Sequence, residues 1–325
     1  MSLLLEARET TRRVARTFSA ACRLLPRGLR DDVYLLYLVF RTLDDLVDER
    51  RPGARARVAA VEAWALGRAG PRTREVTVLD RLAGRHPLPR GAITEFCAGM
   101  RQDLAAEPLS TEADVDRYCY RVAGTVGLVM ASVLGVRDPV CALPAAAALG
   151  MAMQRTNILR DIDEDLAAGR TYVAGATIER FGGLRPGTRE GLLRDQIARA
   201  DALYERGLRG VPLLRAGRPA IAAAAAMYRE ILRQIERDGY GARPGRAVVA
   251  RRRKLLVAAR ALGGASLRKA REAPREHRHD QALDVLGPAV ERQGSQRVPR
   301  EPVHAADLGG QEPDRDLVDQ LDQRA

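Results

Sequence analysis

The apolar positions of this chain recur with the period of an α-helix over most of its length. The two most regular segments carry apolar residues three or four positions apart, namely Val33, Leu36, Tyr37, Phe40, Leu43 and Val47, and then Val122, Val126, Val129 and Val133. Residues 144–166 and 219–240 predict two more long helices. No segment alternates with a period of two over any length, so the pattern predicts an all-α fold and no sheet.

The polar and helix-breaking positions divide the chain into one domain and a tail. Proline and glycine pairs such as Pro52-Gly53 and Pro186-Gly187 separate the predicted helices. From Ala273 onward the chain is rich in Pro, Gln, Arg, Asp and Glu, and its last aromatic residue is Tyr240. Such a composition buries too little apolar surface to offset chain entropy. We therefore predict a folded domain over 1–272 and a disordered, low-complexity tail over 273–325.

Composition and charge narrow the class of partner. Hydrophobic residues make up 46% of the 325 residues, which is enough for a substantial core. The formal net charge is +12 and is carried almost wholly by arginine. That balance suits nucleic acid, an anionic membrane or a phosphorylated substrate, and an arginine-rich genome would produce it as well. Aromatic residues are only 4% and form no stacking platform, so we do not expect nucleic-acid binding.

Cysteine usage and hydropathy indicate the compartment. The four cysteines are far apart and form no CxxC pair, so a thiolate metal site or a disulfide framework is not expected. No apolar run approaches the ~20 residues that a membrane-spanning helix needs. We expect a soluble protein of the cytoplasm, either free or resting on the inner face of the membrane.

Two of the predicted helices carry acidic side chains at helical spacing. Asp44 and Asp48 are four residues apart, and Asn157, Asp161 and Asp165 repeat that spacing later in the chain. Residues i and i+4 lie on one face of a helix, so each set forms one polar stripe. Like charges at this spacing repel by a few tenths of a kcal/mol, which a solvated stripe tolerates. A bound divalent cation would instead turn the repulsion into a set of ligands, since Mg²⁺ selects hard oxygen donors.

The surroundings of the Asp44/Asp48 stripe favour a metal-binding site over a solvated surface. Tyr37, Arg41, Asp44 and Asp48 share one face, which adjoins the strongly apolar segment "VYLLYLVF". An acid pair at the end of such a helix is hard to place on an ordinary surface. Two such helices facing each other across a cavity could hold a cluster of Mg²⁺ ions, which would clamp a diphosphate and make it a leaving group.

Several segments together resemble the squalene/phytoene synthases. "YLVFRTLDDLVDE" and "QRTNILRDIDEDLAAGRTYV" resemble the two aspartate-rich motifs of that family. "YCYRVAGTVG", residues 118–127, closely matches a family signature, and further segments extend the resemblance over roughly residues 10–265. After "GRTYV" the sequence departs from the family pattern, so the loop at 173–183 is expected to differ.

The resemblance implies a fold and a reaction. The fold would be the single-domain, all-α isoprenoid-synthase bundle with a central apolar cavity. The reaction would join two prenyl diphosphates head to head through a cyclopropylcarbinyl diphosphate, giving phytoene from geranylgeranyl diphosphate or squalene from farnesyl diphosphate. The cofactor would be Mg²⁺, with Mn²⁺ as an alternative, and NADPH would be needed only for squalene. Oligomeric state is not implied.

The resemblance also implies a role for individual residues. The metal ligands would be Asp44, Asp48, Asn157, Asp161 and Asp165. The diphosphate would be contacted by Tyr37, Arg41 and Arg160, and also by Asn157, Tyr228 and Arg253, with Arg251 to Lys254 closing that end. Tyr118 would stand near the reacting carbons, and Phe18 and Ser19 at the lip of the pocket. Ala123, Gly124 and Gly127 would shape the pocket by letting two helices approach.

Two alternatives stay open at this point. The same metal site in a terpene cyclase would ionise one prenyl diphosphate and fold it. A non-catalytic relative, acting in assembly or lipid binding, would be expected to lose its acids, whereas this chain keeps Asp44, Asp48, Asp161 and Asp165.

Overall fold

The computed structural model describes residues 3–14 and 16–268, and these residues form an all-α domain, as predicted. Within these ranges the only β interaction is an isolated bridge between Val136 and Leu214. The described α-helices, in chain order, are α1 (Leu3–Val14), α2 (Arg16–Cys22), α3 (Arg27–Asp48), α4 (Ala54–Ala65), α5 (Arg74–Ala83), α6 (Arg90–Ala105), α7 (Glu112–Cys119), α8 (Thr125–Leu134), α9 (Pro139–Ala167), α10 (Gly175–Phe181), α11 (Glu190–Gly210), α12 (Arg218–Arg237) and α13 (Arg251–Arg268).

Helix α3 begins directly after a proline and is almost entirely buried in its middle. Pro26 precedes its first residue, where the missing N–H costs nothing because the first turn has no intrahelical acceptor. From Asp32 to Phe40 every residue except Tyr37 is buried. The polar stripe predicted from the sequence therefore leaves the core at Tyr37 and continues toward the C-terminal end.

Helix α9 starts five residues earlier than the sequence pattern predicts. Asp138 caps it by accepting a hydrogen bond from the backbone N–H of Cys141 at 3.2 Å, and Pro139 occupies the first turn. Pro144 therefore lies inside the helix and cannot donate to the carbonyl of Val140. Val140 is 82% exposed, so water can satisfy that carbonyl and the helix continues through the proline.

The signature segment forms a π-helical turn, Tyr120–Gly124, which joins α7 to α8. The sequence pattern does not predict this turn. Small residues bring the segment against α9: a Cβ on Gly127 would lie 2.3 Å from the carbonyl oxygen of Ala146, and one on Gly150 would lie 2.2 Å from that of Ala123. The close approach requires glycine at both positions, in keeping with the helix-packing role predicted for this segment.

The core consists of two main apolar clusters. One is built chiefly from α3, α4, α5 and α6, and the other from α9, α11 and α12. The aspartate-bearing ends of α3 and α9 thus belong to different clusters. No helix among the described residues is both long and apolar enough to cross a bilayer. The tail predicted over 273–325 lies outside the described residues.

Candidate active site

The acidic stripe of α3 lies on the face predicted from the sequence. Tyr37, Arg41 and Asp44 are half-buried and Asp48 is exposed, while Leu43 and Val47 between them are buried. Arg41 donates to Asp44 Oδ2 at 3.0 Å and also pairs with Asp45. The stripe is therefore open to solvent along one side of an otherwise buried helix.

The second stripe lies on the C-terminal third of α9. Asn157, Asp161 and Asp165 are all half-buried, whereas Ile158 and Ile162 beside them are buried. Because the apolar residues pack into the core, the three polar side chains must point to the opposite face.

A single guanidinium connects the two stripes. One terminal nitrogen of Arg170 donates to Asp48 Oδ1 at 3.0 Å, and the other lies 3.6 Å from Asp165 Oδ1. An acid from α3 and an acid from α9 therefore lie on two sides of the Arg170 guanidinium, which brings the two motifs close together in the structure.

The donors suit a hard divalent cation. Asn157 donates its amide N–H to Gln154 at 3.3 Å, but its Oδ1 is buried and has no hydrogen-bond partner. A buried amide oxygen without a donor is costly, and a cation would satisfy it. Within the described chain no three His, Cys, Asp or Glu side chains form a ready-made metal site. Mg²⁺ usually takes one or two protein carboxylates and completes its shell with water and substrate phosphates.

The pKa values of three acids in the two stripes are raised above their usual range. Burial, and after it the Asp48 carboxylate, raises the pKa of Asp44 to about 7. Burial also raises the pKa of Asp165 to about 6, although Arg170 acts in the opposite direction. The pKa of Asp48 is raised for the same first reason. Burial thus favours the neutral form of these acids, and a cation bound between the stripes would favour their ionised form instead.

Arginines neutralise the acids in part. Arg160 is bidentate to Asp161, with distances of 2.8 and 2.5 Å, instead of pairing with Glu164 one turn away. Arg246, from the segment after α12, lies 2.9 Å from Asp161 Oδ1. Planar guanidinium forks of this kind also bind phosphate oxygens in pairs.

Tyr37 and its neighbours line the side of the site toward α2 and α12. The ring centroids of Phe18 and Tyr37 are 5.3 Å apart, and Ser19 beside them is buried. Burial raises the pKa of Tyr37, with a smaller contribution in the same direction from Tyr228. Tyr228 also acts on the pKa of Arg160, so it is electrostatically coupled to one residue of each stripe-bearing helix.

Tyr118 belongs to a partly buried cluster that the sequence does not predict. Its hydroxyl donates to Asp103 Oδ2 at 3.2 Å, and the hydroxyl of Tyr172 donates to Asp103 Oδ1 at 3.4 Å. The two tyrosine rings stack with centroids 5.1 Å apart. Burial, followed by the charge of Asp48, raises the pKa of Asp103 to about 7. Asp103 is therefore hydrogen-bonded to Tyr118 and electrostatically coupled to Asp48 at the C-terminal end of α3.

The basic run at the start of α13 divides into two parts. Arg253 donates to the buried carboxylate of Glu230 at 2.8 Å, and Arg237 binds the same oxygen. Burial, and then the positive charge of Arg160, lowers the pKa of Lys254. Lys254 thus lies at the arginine end of the site, while Arg253 is engaged with α12 and its role toward substrate stays a prediction.

Sequence reasoning missed Asp103, Tyr172, Arg170 and Arg246. Arg170 and Tyr172 lie in the quoted "GRTYV" segment, whose likeness to the family was the only available signal. Asp103 and Arg246 come from elements outside the motifs, and nothing in their local pattern marks them.

The sequence comparisons with known proteins all match one enzyme family. The family model for squalene/phytoene synthase matches residues 11–253. The chain is 34% identical over 276 residues to the 15-cis-phytoene synthase of Synechococcus elongatus, which covers 77% of this chain and 89% of that one. It is 37% identical over 238 residues to the phytoene synthase of Thermus thermophilus, covering 69% and 80%.

Solved structures of similar fold agree with the family match. A dehydrosqualene synthase in complex with ligand superposes with a TM-score of 0.74 at 26% identity, over 82% of this chain and 97% of that chain. A squalene synthase from Alicyclobacillus acidocaldarius gives 0.64 at 27% identity, over 74% and 95%. The helical architecture is thus that of known squalene and dehydrosqualene synthases.

Proposed function

Because the chain belongs to the squalene/phytoene synthase family, we propose that it joins two geranylgeranyl diphosphates head to head and releases phytoene. The chain is an enzyme of the prenyl-transferring type, and the choice of phytoene rests on two relatives of that name at 34% and 37% identity. The observation that carries the proposal is the bridge of Arg170 to Asp48 and Asp165, since it brings both acid motifs to one place.

The metal would be Mg²⁺, with Mn²⁺ as the alternative. Asp44 and Asp48 would hold it from α3, and Asn157, Asp161 and Asp165 from α9. When bound, Mg²⁺ supplies the Lewis acid that stabilises a departing diphosphate. The unpartnered Oδ1 of Asn157 and the raised pKa of Asp44 both support a cation at this position.

The arginines and tyrosines of the site orient the diphosphate. Arg41 and Arg160 would turn from their aspartate partners to the phosphate oxygens, with Tyr37 and Tyr228 donating from the same side. One diphosphate leaves, and the allylic cation alkylates the double bond of the second substrate. Loss of a proton closes the cyclopropane ring and gives the cyclopropylcarbinyl diphosphate.

The second half of the reaction needs a proton acceptor and no reductant for phytoene. The cyclopropylcarbinyl diphosphate loses its diphosphate and rearranges, and the resulting C40 cation loses a proton. Tyr118 stands nearest the reacting carbons in this proposal, and Asp103, with a pKa of about 7, orients the hydroxyl and can take up a proton near neutral pH.

A C30 product is the second candidate. The fold neighbours include a dehydrosqualene synthase and a squalene synthase at 26% and 27% identity. Dehydrosqualene would form from farnesyl diphosphate by the same proton loss, whereas squalene needs hydride from NADPH at that step. Either hydrocarbon is insoluble in water, so we propose a cytoplasmic enzyme that works at the inner face of the membrane.

The test uses purified full-length protein with Mg²⁺ and each prenyl diphosphate, with and without NADPH, analysed by mass spectrometry. We expect a C40 hydrocarbon from geranylgeranyl diphosphate that does not depend on NADPH. A C30 product from farnesyl diphosphate would select the second candidate. A cyclic C15 or C20 product would show a terpene cyclase and overturn both.

A further inference from the structure

A second anion-binding site is suggested by a cavity at the opposite end of α3. It measures about 560 Å³ and lies where α1 meets the start of α3. Five arginines line it, namely Arg8, Arg12, Arg23, Arg27 and Arg30. Among the described residues that line it, Asp31 alone is acidic, so these side chains carry a large positive excess.

The carboxylate of Asp31 is already paired with one of these arginines. Arg8 binds both carboxylate oxygens of Asp31, at 2.7 and 2.9 Å. Among the described residues no carboxylate pairs with Arg12, Arg23 or Arg27, all three of which are exposed. Three guanidinium groups around one cavity thus have no internal counter-charge, and their mutual repulsion favours binding of an anion.

The floor of the cavity is fixed and offers further donors. A terminal nitrogen of Arg30 donates to the backbone oxygens of Arg23 at 3.1 Å and Leu25 at 2.8 Å, whereas its Nε is buried without a partner. Helix α3 begins here with Pro26 as its N-cap, without a side-chain cap bond and without an acid in the first turn. Its first backbone N–H groups and its dipole therefore add positive potential at the same end.

This cavity is separate from the metal site. Arg30 and Asp44 lie on the same helix, and a rise of 1.5 Å per residue places them about 21 Å apart. The cavity is too far from the aspartate stripes for one diphosphate to contact both. Its cationic groups are also not needed for the proposed reaction.

We propose that this cavity binds a phosphate group with at least two negative charges. Guanidinium forks match phosphate oxygens in pairs, and several forks together favour a doubly charged group over a single carboxylate. Two sources have this chemistry, a lipid headgroup and a free phosphate or diphosphate. The rim favours the lipid: Leu24 is 44% exposed beside Arg23, and Leu5, 45% exposed, shares a helix face with Arg8 and Arg12.

The test compares two charge-matched double variants of the full chain. R23Q/R27Q removes two free guanidinium groups from the cavity. R55Q/R68Q removes two exposed arginines from the α4 region, which lie outside the cavity. Binding is measured by flotation with phosphatidic acid or phosphatidylcholine vesicles, and by calorimetry with inorganic pyrophosphate in EDTA. Circular dichroism and turnover of detergent-dispersed substrate report on fold and active site.

We expect wild type to bind phosphatidic acid vesicles and R23Q/R27Q to bind them at least about tenfold more weakly, with R55Q/R68Q unchanged. Turnover of dispersed substrate should stay the same in both variants. If vesicles fail to bind but pyrophosphate binds and R23Q/R27Q weakens it, the ligand is a free phosphate. Equal losses in both variants would mean general charge attraction, and no binding of either probe by wild type would also overturn the proposal. Should R23Q/R27Q misfold, the single variants R23Q and R27Q replace it.

Discussion

Arg170 donates to Asp48 at 3.0 Å although 122 positions separate the two residues in the sequence. The same guanidinium reaches Asp165 at 3.6 Å, so it occupies the gap between the acid motifs. In this arrangement Arg170 compensates the carboxylates as a metal ion would. Metal binding and this ion pair should therefore be in competition, and the two can be separated experimentally.

We predict that Arg170→Gln lowers stability in EDTA and increases the stabilisation that Mg²⁺ provides. Arg170 and Asp48 are both more than one-third exposed, and the contact with Asp165 is long at 3.6 Å, so the loss without metal is only about 0.5 kcal/mol. Differential scanning fluorimetry with and without Mg²⁺ measures both effects. Arg199→Gln, which breaks an ion pair on α11, is the control and should leave the Mg²⁺ response unchanged. An identical Mg²⁺ shift in Arg170→Gln and wild type would contradict competition.

Asp44→Ala and Asp161→Ala should each abolish turnover while the fold stays intact. Each removes a predicted metal ligand from one stripe, and we expect a loss of at least about 1,000-fold in kcat, which is about 4 kcal/mol. Glu49→Ala, an exposed acid just beyond α3, should keep near-normal activity. Steady-state kinetics and circular dichroism check the outcome, and near-normal activity in either aspartate variant would refute the metal assignment.

The sequence predicts the parts of the site that one helix carries, because helical spacing fixes which residues share a face. Asp44 with Asp48, and Asn157 with Asp161, follow from that rule alone. Asp103 and Arg246 could not be predicted, since their places depend on how separate helices pack. Pro144 shows the same limit for the fold: the local pattern begins the helix at this proline, but exposure of the preceding turn lets α9 begin at Pro139.

Asp103→Asn and Tyr118→Phe should have overlapping effects. Asp103 accepts the Tyr118 hydroxyl at 3.2 Å, so either change breaks the same hydrogen bond. We expect each to lower kcat by about 10- to 100-fold and the double variant to lose little more, because the two groups act as a unit. A double-mutant cycle on kcat, with KM determined for each variant, measures the coupling between the two residues. Fully multiplicative losses would mean that Asp103 does not act through Tyr118.

Gly127→Ala should destabilise the domain by about 1–3 kcal/mol, since its Cβ would meet the carbonyl oxygen of Ala146 at 2.3 Å. Gly91→Ala is the matched control, because that helical glycine has no atom within 4 Å of a built Cβ and alanine favours helix. Denaturant unfolding of both variants checks the prediction. Equal stability of the two would show that α8 and α9 can separate at little cost.

The acid cluster should make stability depend on pH in a direction that Mg²⁺ reverses. The pKa of Asp44 is raised to about 7, above its unfolded value near 4, so the folded protein binds more protons between these limits. Stability in EDTA should therefore fall as pH rises through this window, and the ionised cluster should bind Mg²⁺ more tightly at pH 8 than at pH 6. Asp44→Asn imitates the protonated carboxyl, which does not ionise as the pH rises. In EDTA, the melting temperature of the variant minus that of wild type should therefore increase from pH 5 to pH 8. Thermal unfolding across this range, with and without Mg²⁺, tests the prediction, and a constant difference between variant and wild type would show that Asp44 ionises as an ordinary surface acid does.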